Sequence, residues 1–230
     1  LITSSAASDV YKRQLVNTSD VYYTGYSLGG NRGPSLLGLS PDVNRGALWV
    51  GGAAFSHQIE RCTQYDQFDD LMESVIGYPS QLDRAVVISL IQSLWDATDT
   101  NTWTTLSEGW GDRVQPFEMI YIGSIGDLQI SNISTSRALR NADASILSSS
   151  SIHPYGLPIT EGGEGTTGNV GVYFDGGFSH APEQNLLGQE PHPAHNWVAG
   201  VDAAHRMAFE YLFNGYVVDR CDGSCVYDAA

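Results

Sequence analysis

Short apolar runs punctuated by glycine alternate along this chain with stretches whose apolar residues recur every three or four positions. Four runs read as buried strands: Asp20-Val21-Tyr22-Tyr23-Thr24, Ala47-Leu48-Trp49-Val50, Phe117-Glu118-Met119-Ile120-Tyr121-Ile122 and Val170-Gly171-Val172-Tyr173-Phe174. They are continuous rather than alternating, as strands covered on both faces must be, and this predicts a mostly parallel sheet. Helical patterns lie between them. Pro34-Ser35-Leu36-Leu37-Gly38 opens one. Phe68, Leu71, Met72, Val75 and Ile76 follow helical spacing, as do Val87, Leu90, Ile91, Leu94 and Trp95, with Gly77-Tyr78-Pro79 as the break. Both stripes are expected to be packing faces, and residues 63–110 are expected to form a helical cap over the sheet. A further helix is placed within Leu128 to Leu139. The last carries Ala204, Met207, Ala208, Tyr211 and Leu212 on one stripe and stops at Asn214-Gly215. Residues 143–169, rich in Ser, Gly and Thr without a period, read as a long surface connection. Strands alternating with helices define an α/β chain, and one core is the default at 230 residues and 42% hydrophobic content.

The first strand runs into Gly25-Tyr26-Ser27-Leu28-Gly29-Gly30, a G-x-S-x-G sequence between a strand and a helix. That context suits a nucleophile elbow, in which the serine sits on a sharp turn and projects above the sheet. Flanking glycines remove the Cβ atoms that would collide there, and the Leu28 amide would face an oxyanion forming at the serine. The alternative is a glycine-rich turn carrying an exposed serine. A serine hydroxyl needs a histidine to take its proton and a carboxylate to orient that histidine. Asp127, in Gly126-Asp127 soon after the third strand, stands in the right chain order, although Gly-Asp turns also supply helix caps. Asp175, after the fourth strand, is the runner-up. Asp96 and Asp99, at the end of the second cap stripe, are expected to be solvated turn residues.

These residues resemble the later part of a bacterial α/β-hydrolase of esterase/lipase type, from about Leu15 onward. The resemblance is carried by Thr24 to Gly30, Arg45-Gly46-Ala47-Leu48 through Gly51-Gly52, Gly126-Asp127-Leu128-Gln129, Pro191-His192 and Cys221-Asp222-Gly223-Ser224-Cys225. It implies a partial α/β-hydrolase fold, later strands only, with Ser27 as nucleophile, Leu28 as one oxyanion donor, Asp127 as orienting acid and no cofactor. The implied base is His192, in a Pro-His turn before the last helix, with His195 and then His180 as alternatives. The implied reaction is hydrolysis of a small-molecule carboxylic ester. A serine peptidase on the same fold and a non-catalytic binding module are the rival readings. Such hydrolases place a second oxyanion donor in a loop well ahead of the elbow. Only Leu15 to Thr24 precede this elbow as credible native sequence, so the chain is expected to be part of a longer domain. Leu1 to Gln14 has no hydrophobic period and looks like translated adapter read-through, and we set residues 1–14 aside from fold reasoning.

Charge and cysteines narrow the setting. A formal net charge of −15 with 11 Lys+Arg argues against nucleic-acid binding and against docking on anionic membranes. No apolar run approaches the roughly twenty residues of a membrane span. Cys62 reads as a core residue. Cys221 and Cys225 suit a small disulfide better than a zinc site, with free thiols as the alternative, and a disulfide would imply an extracytoplasmic setting (periplasmic or secreted). His192 and His195 lack the carboxylate or cysteine cluster that a metal site would need.

Overall fold

The computed structural model describes residues 20–78, 80–180 and 193–228. Strands β1 (Tyr23–Tyr26), β2 (Arg45–Trp49), β3 (Glu118–Ser124), β4 (Ser145–Leu147), β5 (Ile159–Thr160) and β6 (Val170–Phe174) form one sheet in the order β1-β2-β3-β6-β4-β5. Every pairing is parallel. The registers Tyr26 to Trp49, Trp49 to Ile122 and Ser124 to Phe174 bring the carboxyl ends of the four long strands to a common edge. Loops leaving that edge carry Ser27, Val50, Asp127 and Asp175. This is where parallel α/β sheets bind ligands.

Successive strand residues point to opposite faces, so the core splits in two. Ala47, Trp49, Ile120, Ile122, Val172 and Phe174 pack on one face with Ala204, Met207, Ala208, Tyr211 and Leu212 of the C-terminal helix α8 (Asp202–Asn214). Leu48, Met119, Tyr121 and Tyr173 pack on the other with Leu37 of α1 (Leu28–Leu39) and with Ala138 and Leu139 of α6 (Asn132–Asn141). The predicted α8 stripe is therefore the buried stripe, and Gly215 ends that helix in the left-handed region at φ +79°. Together these features make an α/β-hydrolase-like fold.

Several expectations need correction. Helix α1 begins at Leu28, six residues before Pro34, which sits inside it. The stretch 143–169 is not only a surface connection: it contains β4 and β5, and Ile146 and Leu147 are fully buried beside β6. Strands of three and two residues are too short to show a period.

The segment between β2 and β3 is helical, with α2 (Phe55–Ile59), α3 (Tyr65–Leu71), a π-helical turn (Met72–Ile76), α4 (Gln81–Trp95) and α5 (Thr100–Thr104). Its stripes pack only in part: Met72, Val87 and Trp95 join a cluster with Ile59, Tyr65 and Ile88, while other stripe residues stay exposed. Leu90 and Leu94 are 70% and 77% exposed, while Arg84 and Ile88 are the buried residues of α4. Arg84 pairs with Asp69 at 3.0 Å and Glu73 at 3.3 Å on the face that α4 buries. Of the first stripe, Met72 alone is buried.

Candidate active site

Strand β1 delivers the chain to Ser27 with its backbone in the left-handed region, φ +54°. The turn is fixed from both sides. The Ser27 amide donates to Trp49 O at 2.9 Å, and Ser27 O accepts the Asn31 amide at 3.0 Å, closing the first turn of α1. Glycine is required at two positions by close approach. A Cβ on Gly25 would lie 2.4 Å from Gly29 O, and one on Gly30 would lie 2.6 Å from Trp49 O. Gly29, the second glycine of the G-x-S-x-G spacing, would meet only Tyr23 Oη at 3.4 Å, so close approach demands Gly25 and Gly30 rather than both motif glycines. Ser27 is half-buried with its hydroxyl at the sheet edge, and Leu28, the next residue, is exposed. The Leu28 amide is the first of helix α1, one of the amides that a helix leaves without an internal acceptor.

Asp127 follows β3 and is 1% exposed. Its two oxygens do different work. Oδ1 accepts the Gln129 amide at 2.8 Å and the Ile130 amide at 3.0 Å, which is the turn-capping role considered for it. Oδ2 lies 2.8 Å from Nδ1 of His195. The other ring nitrogen of His195, Nε2, lies 2.9 Å from Ser27 Oγ. His195 is 2% exposed and sits on the one-turn helix α7 (Ala194–Trp197).

A carboxylate only accepts, so Nδ1 carries the hydrogen and Nε2 is left to accept from the serine hydroxyl. An imidazole so held can take a proton from Ser27 while its own developing charge faces Asp127. His195, an alternative in the sequence reading, is the histidine that stands between Ser27 and Asp127. His192 lies outside the described residues. His180 is exposed and takes neither contact, and Asp175 instead caps its own turn through the Gly177 amide at 2.8 Å. His57 faces Arg137, and His153 and His205 contact backbone carbonyls.

Sequence reasoning missed three parts of this edge. Asp99 is not solvated: it is 5% exposed and accepts the amides of Ala54 at 3.0 Å, Phe55 at 2.7 Å and Asn101 at 2.6 Å, with Gln92 Nε2 at 3.0 Å. Its place just before Thr100-Asn101, as N-cap of α5, was the available signal. Val50 and Ala54 also have positive φ, +42° and +62°. Left-handed backbone at residues other than glycine costs about 1–3 kcal/mol each and persists only where neighbours hold it. Here the holders are the Val50 amide bond to Ile122 O at 2.8 Å and the Asp99 carboxylate. The third part is Tyr26. Its hydroxyl donates to the backbone carbonyl of His195, and its ring meets the imidazole edge-on with centroids 5.6 Å apart. Burial, and then the charge of Asp127, push the Tyr26 phenol up to about 12.

Cys221 and Cys225 are bonded, with Cα atoms 5.1 Å apart. Asp219 lies close to both sulfurs, but a disulfide leaves no thiolate for a metal. Among the described residues, no helix is long and apolar enough to cross a membrane. A groove of about 530 Å³ lined by Trp197, Asp202, Arg206, Arg220 and Tyr227 does not include Ser27, Asp127 or His195.

A parallel sheet with a serine elbow, and a histidine and an aspartate delivered to it from later loops, is the arrangement of α/β-hydrolase-like proteins. No family model and no curated protein matches the chain. Similar solved structures include an acylaminoacyl peptidase in complex with Z-Gly-Gly-Phe-chloromethyl ketone, at 14% identity and TM-score 0.47 over 94% of this chain and 27% of that one. An uncomplexed acylaminoacyl peptidase from Pyrococcus horikoshii is similar at 13% identity and TM-score 0.46, over 94% and 27%. A puromycin hydrolase mutant is similar at 11% identity and TM-score 0.47, over 97% and 26%. The chain spans about a quarter of the length of these structures.

Proposed function

We propose that this chain is the nucleophile-bearing part of a serine hydrolase that cleaves carboxylic esters through an acyl-enzyme on Ser27. The supporting observation is the relay from Ser27 Oγ through both nitrogens of His195 to Asp127, at 2.9 and 2.8 Å. Ser27 Oγ attacks the ester carbonyl carbon as its proton passes to His195 Nε2, and Asp127 stabilises the imidazolium. The carbonyl oxygen takes the negative charge and accepts from the Leu28 amide. The tetrahedral intermediate then expels the alcohol, which leaves with the proton from His195. Water repeats the sequence with His195 as base, and the acid is released. Both steps close with no electron acceptor and no cofactor.

The ester assignment rests on the resemblance of the elbow and the Gly126-Asp127 turn to esterase/lipase-type hydrolases. We read the helices of residues 63–110 as the cap that shapes the substrate cleft, and the Cys221–Cys225 bond as the mark of an extracytoplasmic setting. The test is a panel of 4-nitrophenyl esters of increasing acyl length, run beside N-acyl-peptide 4-nitroanilides. Ester turnover abolished by Ser27→Ala, with no anilide turnover, supports the reading. Anilide turnover exceeding that of the esters would replace it with a peptidase.

A further inference from the structure

We propose that Tyr26 is a positioning residue for the reaction: the residue before the nucleophile seats the backbone of the base. The inference rests on the reading of His195 as base.

Helix α7 is weak on its own. A helix of four residues, Ala194–Trp197, has almost no internal hydrogen bonds to hold its shape. The amides of Asn196 and Trp197 both return to the single carbonyl of Pro193, at 3.1 and 2.9 Å. Ala194 and Val198 are fully buried and fix one side of the turn. The side that carries the imidazole is fixed differently. The Tyr26 hydroxyl donates to His195 O, and the Tyr26 ring stands against the imidazole at an interplanar angle of 69°. His195 is thus held at three points: Nδ1 by Asp127, the ring by the Tyr26 ring, and the carbonyl oxygen by the Tyr26 hydroxyl.

Chain connectivity gives this contact its consequence. Tyr26 ends β1 and is bonded to Ser27, so one strand end places both the nucleophile and the backbone of its base. The contact thereby couples the placement of Ser27 Oγ to that of His195 across their 2.9 Å separation. Asp127, which comes from β3, could not do this alone. A misplacement of about 1 Å between reacting groups can cost on the order of a hundredfold in rate. Tyr26 does not touch the reacting atoms; its effect passes through His195.

Tyr26→Phe keeps the ring and removes only the hydroxyl, so the test separates the bond from the packing. We measure two quantities with a fluorophosphonate probe: the rate constant of labelling at Ser27, and the fraction of chains finally labelled. Loss of one neutral hydrogen bond corresponds to a three- to tenfold fall in rate, or about 0.7–1.4 kcal/mol. The expected result is a rate constant lowered by that factor with full final labelling, and ester kcat lowered with KM within twofold. A structural role alone would lower the labelled fraction and Tm while each competent chain reacts at the wild-type rate, and that result overturns the inference. A second readout is the downfield Nδ1–H proton resonance of His195, expected to broaden in Tyr26→Phe and to stay sharp if the inference is wrong. Wild-type chain that fails to label overturns the hydrolase reading and this inference with it. Labelled wild type with an unchanged Tyr26→Phe overturns this inference alone.

Discussion

Asp127→Asn tests the orienting role proposed for the carboxylate with little change in shape. The side chain is isosteric, and its carbonyl oxygen can still accept the Gln129 and Ile130 amides that Oδ1 accepts now, at 2.8 and 3.0 Å. The turn after β3 is therefore expected to survive. What changes is the group facing His195 Nδ1 at 2.8 Å, an amide donor in place of an acceptor. To accept from it, Nδ1 must lose its hydrogen, and the neutral imidazole then carries the hydrogen on Nε2. Nε2 faces Ser27 Oγ and can no longer take its proton. Both partners are almost fully buried, so water cannot substitute for the lost acceptor. The wrong tautomer and the lost partner for the imidazolium together lower kcat by about 10⁴, equivalent to about 5.5 kcal/mol of transition-state stabilisation. The assay is steady-state hydrolysis of a short 4-nitrophenyl ester, with far-ultraviolet circular dichroism and urea midpoints to show that the fold is kept. A folded Asp127→Asn protein that retains more than a tenth of wild-type kcat would refute the assignment of Asp127, and a larger loss in Asp175→Asn would move the role there.

Three further outcomes follow from the geometry. Gly30→Ala brings a Cβ within 2.6 Å of Trp49 O, a backbone atom with nowhere to go, and should lower stability by about 1–3 kcal/mol and displace the elbow, seen as a lower Tm and slower labelling. Asp99→Ala strips acceptors from the Ala54 and Phe55 amides and should cost about 2–5 kcal/mol in urea unfolding; a loss within experimental error would show that water reaches those amides. Tyr26 and Tyr65 are pushed up to about 12 by burial, and Tyr121, Tyr173 and Tyr211 are raised by the same cause. The native state then holds phenol protons that the unfolded chain releases near the ordinary value of 10.0, so this contribution to stability is present below pH 10 and falls as pH rises towards 12; alkaline unfolding followed by tyrosinate absorbance checks the sign.

The sheet and the elbow could be read from sequence because each is set by local chemistry. Short continuous apolar runs such as Met119 to Ile122, bounded by Gly123 and rich in β-branched and aromatic residues, suit a strand covered on both faces, and Gly25 and Gly30 flank Ser27 because backbone approaches there exclude a Cβ. Elsewhere the deciding contacts were non-local. β4 is a strand because β6 lies beside it, not because Ser145-Ile146-Leu147 favours extension. The face that α4 buries carries Ile88, with Val87 and Trp95 beside it, and the ion-paired Arg84, while Leu90 and Leu94, which a period count weights heavily, stay exposed. Asp99 reads as a polar turn residue, and only the proximity of the Ala54 and Phe55 amides makes it a buried acceptor. His195 stands three positions from the Pro-His turn that favoured His192. Ala194 and Val198, four apart and both buried, were the pattern that placed His195 at the edge of a packed turn.

The most direct measurement is fluorophosphonate labelling with peptide mapping, run on the wild-type chain and on Ser27→Ala, His195→Ala and His192→Ala. The geometry predicts labelling at Ser27 that vanishes in Ser27→Ala, falls by about a thousandfold or more in His195→Ala, and persists in His192→Ala. Wild-type labelling at another residue, or a His195→Ala chain that labels at the wild-type rate, would contradict the relay from Ser27 through His195 to Asp127.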